Sequence, residues 1–422
     1  MLTRVTRAAV VVILGVAVPA AAQVDQERAR AFFKEAQALC ERDGGRLWGV
    51  WLCGPMVIGD ARTKTFATSQ PPPDAPRSPL VGIVNAPVQW GGVTWGSYVW
   101  DTLANVPPQA RNEILIHELF HGVQPRLGLM VQNPASEHLD AQDGRYWMRL
   151  EWRALARALR ESGPQRSDAV RDALAFRQAR QALFPGSAEN ERASVITEGL
   201  ASYTGTVVAA PSPADATAGA LRRLAELDSE ESLVRTFAYT SGPAYGLLLD
   251  AASPGWRQTL RASDDLAVLV MNAFAVQPAA DAAVSAARYR GPELFAAERQ
   301  RDEQRQARVA ELRQRFVDGP VLVIRGGGGG MSSSNGAVAI PGRGTIFFGP
   351  FRFTGRPGSL EAEKGVLVSS DGGTRTVAGP VRQDDRTLTG EGWTFTAAPG
   401  WVIREGARRG DYEVVQQQQQ QP

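Results

Sequence analysis

The chain of 422 residues has only two cysteines and three histidines. Two cysteines cannot build a disulfide-dense scaffold or a four-cysteine metal site, so a packed core must carry the stability. The length, with 43% hydrophobic residues, supports such a core and predicts two or three domains. An excess of one charge is missing too: 46 Lys and Arg face 44 Asp and Glu, and no basic stripe stands out. Nucleic acid is therefore not an expected partner. Beyond the N-terminus no apolar run is long enough to span a bilayer, so no membrane span is expected in the mature protein.

What the N-terminus does have is a leader pattern. Arg4 and Arg7 precede an apolar run from Ala8 to Val18, and Pro19-Ala-Ala-Ala22 offers small residues to a signal peptidase. Residues 1–22 read as a signal peptide cut after Ala22, which predicts a secreted or periplasmic protein. In an oxidising compartment, Cys40 and Cys53 are expected to form a disulfide across the turn between them. Closing so short a loop contributes about 3 kcal/mol.

The patterning predicts an α+β fold in which a strand-rich part, 23–106, precedes a helical part, 107–318. A helix over 26–41 leads to strand-like runs at 46–53, 56–58, 80–84 and 93–100, which read as a small twisted sheet. Helices are predicted from Pro108 to about Val123, around 146–155, over 167–183, over 189–207 and over 292–316. Beyond Asp318 short alternating runs between glycine-rich turns predict a small antiparallel β-domain over 319–415. The glycines at 326–330 lack the Lys-Ser/Thr of a phosphate loop and read as a hairpin connection. The tail, 416–422, is glutamine-rich and is expected to be disordered.

With so few histidines, the placement of two of them matters. They stand in Ile114-Leu-Ile-His-Glu-Leu-Phe-His-Gly-Val123, four residues apart. Residues at that spacing stack on one helix face, so His117 and His121 can aim both imidazoles at one point. Glu118, about 100° round the helix, flanks that point, where a general base must stand to take a proton from water at a metal. A random shuffle of this composition gives the pattern in about two sequences per thousand at most. Zn2+ is the expected ion, with a third protein ligand to be found. A metzincin continuation is excluded, because Gln124 and Leu127 occupy the positions of its Gly and third His. The remaining candidates are His138, Asp140, Glu151 and Glu198.

Among these, Thr197-Glu-Gly-Leu-Ala-Ser-Tyr203 resembles the second-helix motif of gluzincin metallopeptidases, the thermolysin and aminopeptidase superfamily. The resemblance implies a zincin-like mixed sheet with a mainly helical catalytic part, and Glu198 as third ligand. Small Gly199, Ala201 and Ser202 would let that helix approach the His117 helix closely. Glu151 is the strongest rival, with pairing to Arg149 or Arg153, or a contact that orients a histidine, as its alternative roles. The same superfamily commonly uses a Tyr or His to stabilise an oxyanion. Tyr239 and Tyr245 are on hand, and Tyr245 is taken as the candidate.

The expectation is a secreted or periplasmic zinc metallopeptidase with a peptide or protein substrate, and with Glu118 as general base. The strand 93–100 could offer an edge to an extended peptide. Two alternatives stay open: an envelope binding or structural protein on an inactive zincin scaffold, and a zinc hydrolase of some other substrate.

Overall fold

Asp25 starts the first described helix, α1 (Gln26–Asp43). Its Oδ1 accepts the backbone N–H groups of Glu27 and Arg28, both at 3.0 Å, and Gly44 ends the helix at φ 58°. The computed structural model describes residues 23–417 apart from 235, 327, 333–335, 384 and 385. Residues 1–22, where a leader is expected, and the last five residues of the glutamine-rich tail lie outside the described residues. The chain forms two compact units that divide between Pro292 and Glu293.

In the first unit a four-stranded mixed sheet consists of β1 (Met56–Asp60), β2 (Thr65–Thr68), β3 (Ala86–Trp90) and β4 (Val93–Val99). Their order is β2-β1-β4-β3; β1 and β4 are parallel and the other pairs antiparallel. β4 is therefore an interior strand, and β2 and β3 form the edges. That corrects the expectation that 93–100 offers a free edge. Two other strand-like runs, 47–52 and 80–84, are turns. Each holds a glycine in the left-handed region, Gly49 at φ 71° and Gly82 at φ 81°, so the backbone bends within an apolar run. Trp48, Leu52 and Val81 are buried all the same.

Helices follow: α2 (Trp100–Ala104), α3 (Pro108–Val123), α4 (Gln142–Arg160), α5 (Gly163–Leu183), α6 (Ser187–Ser194), α7 (Leu200–Ala209), α8 (Pro213–Glu226) and α9 (Phe237–Ala252). Pro108 opens α3 in the first turn, where its missing N–H costs nothing. The sheet and a turn both fasten α3. The Tyr98 hydroxyl of β4 donates to the Leu115 carbonyl at 2.8 Å, and Trp48 packs on Phe120 at 5.1 Å between ring centroids. Trp48 also donates its indole N–H to Thr204 Oγ1 of α7 at 2.9 Å, which links the two helices that supply the site.

Between α6 and α7, residues Val195–Gly199 form a π-turn without breaking the helix. Two glycines set how close its neighbours come. A Cβ on Gly205 would lie 2.6 Å from the Glu113 carbonyl of α3, and one on Gly242 of α9 would lie 2.3 Å from the Gly199 backbone. The close approach of α3 and α7 thus rests on Gly205, whereas Gly199 faces α9. That corrects the role expected for Gly199.

The second unit begins in the long helix Gly291–Arg313, which was expected to close the first. Its end packs with the unit it leads into: Leu312 and Phe316 share a core with Ile340, Ile346, Leu367 and Ala378. The rest of the unit has a six-stranded and a seven-stranded sheet. Strands such as Phe351–Gly355, Gly358–Ala362 and Trp393–Ala397 alternate buried and exposed residues, and Phe353, Leu360 and Phe395 meet Leu322, Ile324 and Val377 of the other sheet. The unit is not wholly antiparallel, because Tyr412–Gln416 runs parallel to Val321–Arg325. Gly328–Ser332, from the glycine run expected to be a connection, pairs with Phe351–Gly355 as an edge strand. Among the described residues no helix is long and apolar enough to cross a membrane.

Candidate metal centre

The His117 and His121 side chains leave α3 one turn apart and converge, with their Nε2 atoms 3.0 Å from one another. The π-turn brings Glu198 to the same point, with Oε2 3.3 Å from His117 Nε2 and 3.4 Å from His121 Nε2. All three ligand atoms lie within 4.8 Å of one another. Two imidazole lone pairs and a carboxylate oxygen repel at such separations unless a proton or a cation sits among them.

The other nitrogen of each ring is held. His121 Nδ1 lies 2.9 Å from Gln124 Oε1, and His117 Nδ1 lies 3.2 Å from Ser202 Oγ. Tyr239 stacks on the His117 ring, with 5.3 Å between centroids and 9° between planes. The site is largely closed to solvent: His117 and Glu118 are 7% and 6% exposed.

Burial sets the protonation states. It pushes His117 down to about 4, with the Glu198 hydrogen bond working against it, so this imidazole is neutral at pH 7. Burial lowers His121 as well, but the hydrogen bond to Glu198 and the charges of Glu118 and Glu198 outweigh it and raise the group. For Glu198 burial acts upward, and hydrogen bonds to both histidines overcome it, holding the carboxyl well below its usual range. Glu118 is pushed up to about 7, first by burial and then by the nearby Glu198 charge, with His121 opposing. Its Oε2 is buried without a hydrogen-bond partner among the described residues. A carboxyl with that value and a vacant acceptor is suited to exchange a proton with water near neutral pH.

The remaining candidates go elsewhere. Glu151 is fully buried beside Arg180, with 2.6 Å between Oε2 and Nη2, in a cluster with Arg177 and Glu191. Tyr245 donates its hydroxyl to Glu151 Oε1 at 2.7 Å. Tyr245 thus belongs to that ion cluster and not to the group of His117, His121 and Glu198, which corrects the catalytic role expected for it. Tyr239, the other tyrosine of that stretch, is the one against His117. His138 Nε2 contacts Glu191 Oε1 at 2.8 Å, and Asp140 accepts from Ser232 at 2.7 Å. Cys40 and Cys53 are free thiols near each other, each raised first of all by burial, in place of the disulfide expected from the sequence.

Set against protein-family models, curated proteins and solved structures, the chain matches none. What the centre can do therefore follows from its own side chains.

Sequence reasoning missed two residues of the centre. Gln124 served only to exclude the metzincin pattern, and Tyr239 was set aside in favour of Tyr245. The signal for Gln124 was its position three residues after His121, within reach on the same helix face.

Proposed function

We propose that this protein is a zinc-dependent hydrolase of peptide bonds, with a zincin-like, gluzincin-type catalytic unit, acting outside the cytoplasm after removal of its leader. The observation that carries the reading is the convergence of His117, His121 and Glu198 beside a buried Glu118 oxygen without a partner. Two imidazoles and a carboxylate are a donor set that zinc favours in catalytic sites, where a fourth position is left to water or substrate. When bound, zinc supplies Lewis acidity toward water and toward a carbonyl oxygen.

The residues divide the remaining work. His117 presents Nε2 as a neutral donor, and Glu198 supplies the negative charge that offsets the cation. Glu118 takes a proton from water at its free Oε2 as that water attacks the scissile carbonyl. It then gives the proton to the departing amine nitrogen, so the glutamate ends as it began. Burial supports both steps by keeping its affinity for the proton near neutral pH.

An inactive scaffold would need the histidines at most. Burying Glu118 with an unsatisfied oxygen costs free energy that a scaffold has no use for.

The test is metal analysis of the purified protein together with turnover of a broad peptide library by wild type and Glu118→Gln. Stoichiometric zinc in both proteins, with turnover lowered about 10²- to 10⁴-fold in the variant, is expected. Equal turnover in the two, or none in either, defeats the peptidase reading. No zinc in either defeats the metal centre.

A further inference from the structure

Gln124 has no exposed surface, and all its side-chain polar atoms are engaged at the candidate centre. Its Nε2 lies 2.9 Å from the Ile196 carbonyl and 3.2 Å from the Thr197 carbonyl, and its Oε1 faces His121 Nδ1 at 2.9 Å. The amide can point only one way. Turned over, its oxygen would face two carbonyl oxygens, whereas the nitrogen has two protons to give them.

That orientation fixes the imidazole. Oε1 can only accept, so His121 Nδ1 must carry a proton and donate it. The Nε2 lone pair is then directed toward His117 and Glu198, the tautomer a metal ligand needs. The carbonyls at the other end belong to the two residues immediately before Glu198, inside the π-turn. A π-turn shifts the helical hydrogen bonding by one residue and leaves carbonyl capacity unused. Gln124 takes up that capacity.

We infer that Gln124 is a positioning residue for the metal centre, clasping His121 of α3 and the Glu198 turn so that both ligands are set before an ion arrives. The inference rests on the metal-centre reading and adds to it the link between its two arms. Without Gln124 the His121 ring can rotate and change tautomer, and the turn bearing Glu198 loses a fixed distance to α3. Ser202, at 3.2 Å from His117 Nδ1, gives the other imidazole a single contact but does not reach the π-turn carbonyls.

The test measures Zn2+ affinity by competition with a chromophoric chelator, and the visible absorption of the Co2+-loaded protein. It uses wild type, Gln124→Leu, Gln124→Glu, Glu198→Ala and the Gln124→Glu/Glu198→Ala double variant. Gln124→Leu removes both halves of the clasp. Gln124→Glu keeps an acceptor for His121 and loses the donors to the turn. Each is expected to bind Zn2+ about 10- to 100-fold more weakly than wild type. The Co2+ bands of Gln124→Leu are expected to shift as the ring is released. In the Glu198→Ala background Gln124→Glu is expected to cost less than twofold further, because the half it breaks acts through Glu198.

A residue that merely supports the fold would weaken binding equally in both backgrounds and leave the Co2+ bands in place; that result overturns the inference. Affinity of both single variants within about twofold of wild type overturns it as well. If Gln124→Leu does not fold, Gln124→Glu and its double variant decide. Wild type that binds no Zn2+ overturns the metal centre itself, and the clasp with it.

Discussion

Replacing Gly242 with alanine probes the centre from its far side. Gly242 lies in α9, and a Cβ there would stand 2.3 Å from the Gly199 Cα and from the Gly199 carbonyl oxygen. Ordinary contact begins at 3.4 Å, and the obstructing atoms are backbone, so no side chain can swing away. The two helices must part by ~1 Å, and overpacking of this kind costs about 1–3 kcal/mol. In a unit of this size each kcal/mol lowers Tm by about 2–4 °C, so a metal-free melt should fall by several degrees.

The displaced segment includes Glu198, directly before Gly199. The same change should therefore weaken Zn2+ binding in the part of the protein that stays folded. Misplacing reacting groups by about 1 Å can cost ~10²-fold in rate, so peptide turnover should fall more steeply than stability does. The measurements are a melt of the metal-free protein, a chelator competition and a turnover assay. A Gly242→Ala protein that melts with wild type and binds Zn2+ equally well would refute the claim that this glycine contact sets the position of Glu198.

Tyr245→Phe should leave peptide turnover unchanged and lower stability by about 1–3 kcal/mol, because it strips a hydrogen bond from buried Glu151; a large loss of turnover in a steady-state assay would return Tyr245 to the active site. Glu191 is raised by burial, but attraction to and hydrogen bonds from Arg180, with a further hydrogen bond from His138, overcome this and hold it well below the usual glutamate range. The folded form thus binds its proton less readily than the unfolded chain. Its stabilisation is fully present above about pH 4.5 and is lost as pH falls through the lower folded value. Glu191→Gln should be about 3 kcal/mol less stable at neutral pH and should lose less on acidification, as read from denaturant midpoints across pH; parallel pH profiles would count against the assignment. Treatment of the folded protein with oxidised glutathione should couple Cys40 and Cys53, block alkylation of both and raise Tm, and alkylation of Cys53 at the untreated rate would exclude the bond.

The chain announced its centre where chemistry and helical period coincided. His117 and His121 at a spacing of four, in an amphipathic run after Pro108, carried both the helix and the convergence of the rings, and the structure brings them together with Glu198. Periodicity also foretold helices over 26–41 and 167–183, which the structure extends to Gln26–Asp43 and Gly163–Leu183, and several strands of the second unit. It failed at 47–52 and 80–84, where an apolar run meets glycine at positive φ, because burial pattern alone does not distinguish a strand from a buried turn. Tyr245 over Tyr239 was a failure of another kind: choosing between them depends on the rotation of α9 against α3, which only tertiary packing fixes. Gln124's reach to His121 was open to reading from their spacing, but its contacts with Ile196 and Thr197 lie more than seventy residues away and only the fold brings them together.

The π-turn lets one helical stretch serve two clients. Residues seven apart in an unbroken α-helix point almost the same way, and Glu191 and Glu198 are seven apart. Yet Glu191 meets Arg180 and His138, while Glu198 meets the two histidines of α3. The extra residue taken up at 195–199 turns the downstream part by about 100° relative to the upstream part. Wound as ordinary α-helix with no residue lost, this stretch would turn its two carboxylates toward one direction, and the fold could keep its ion cluster or the His117–His121–Glu198 triad but not both.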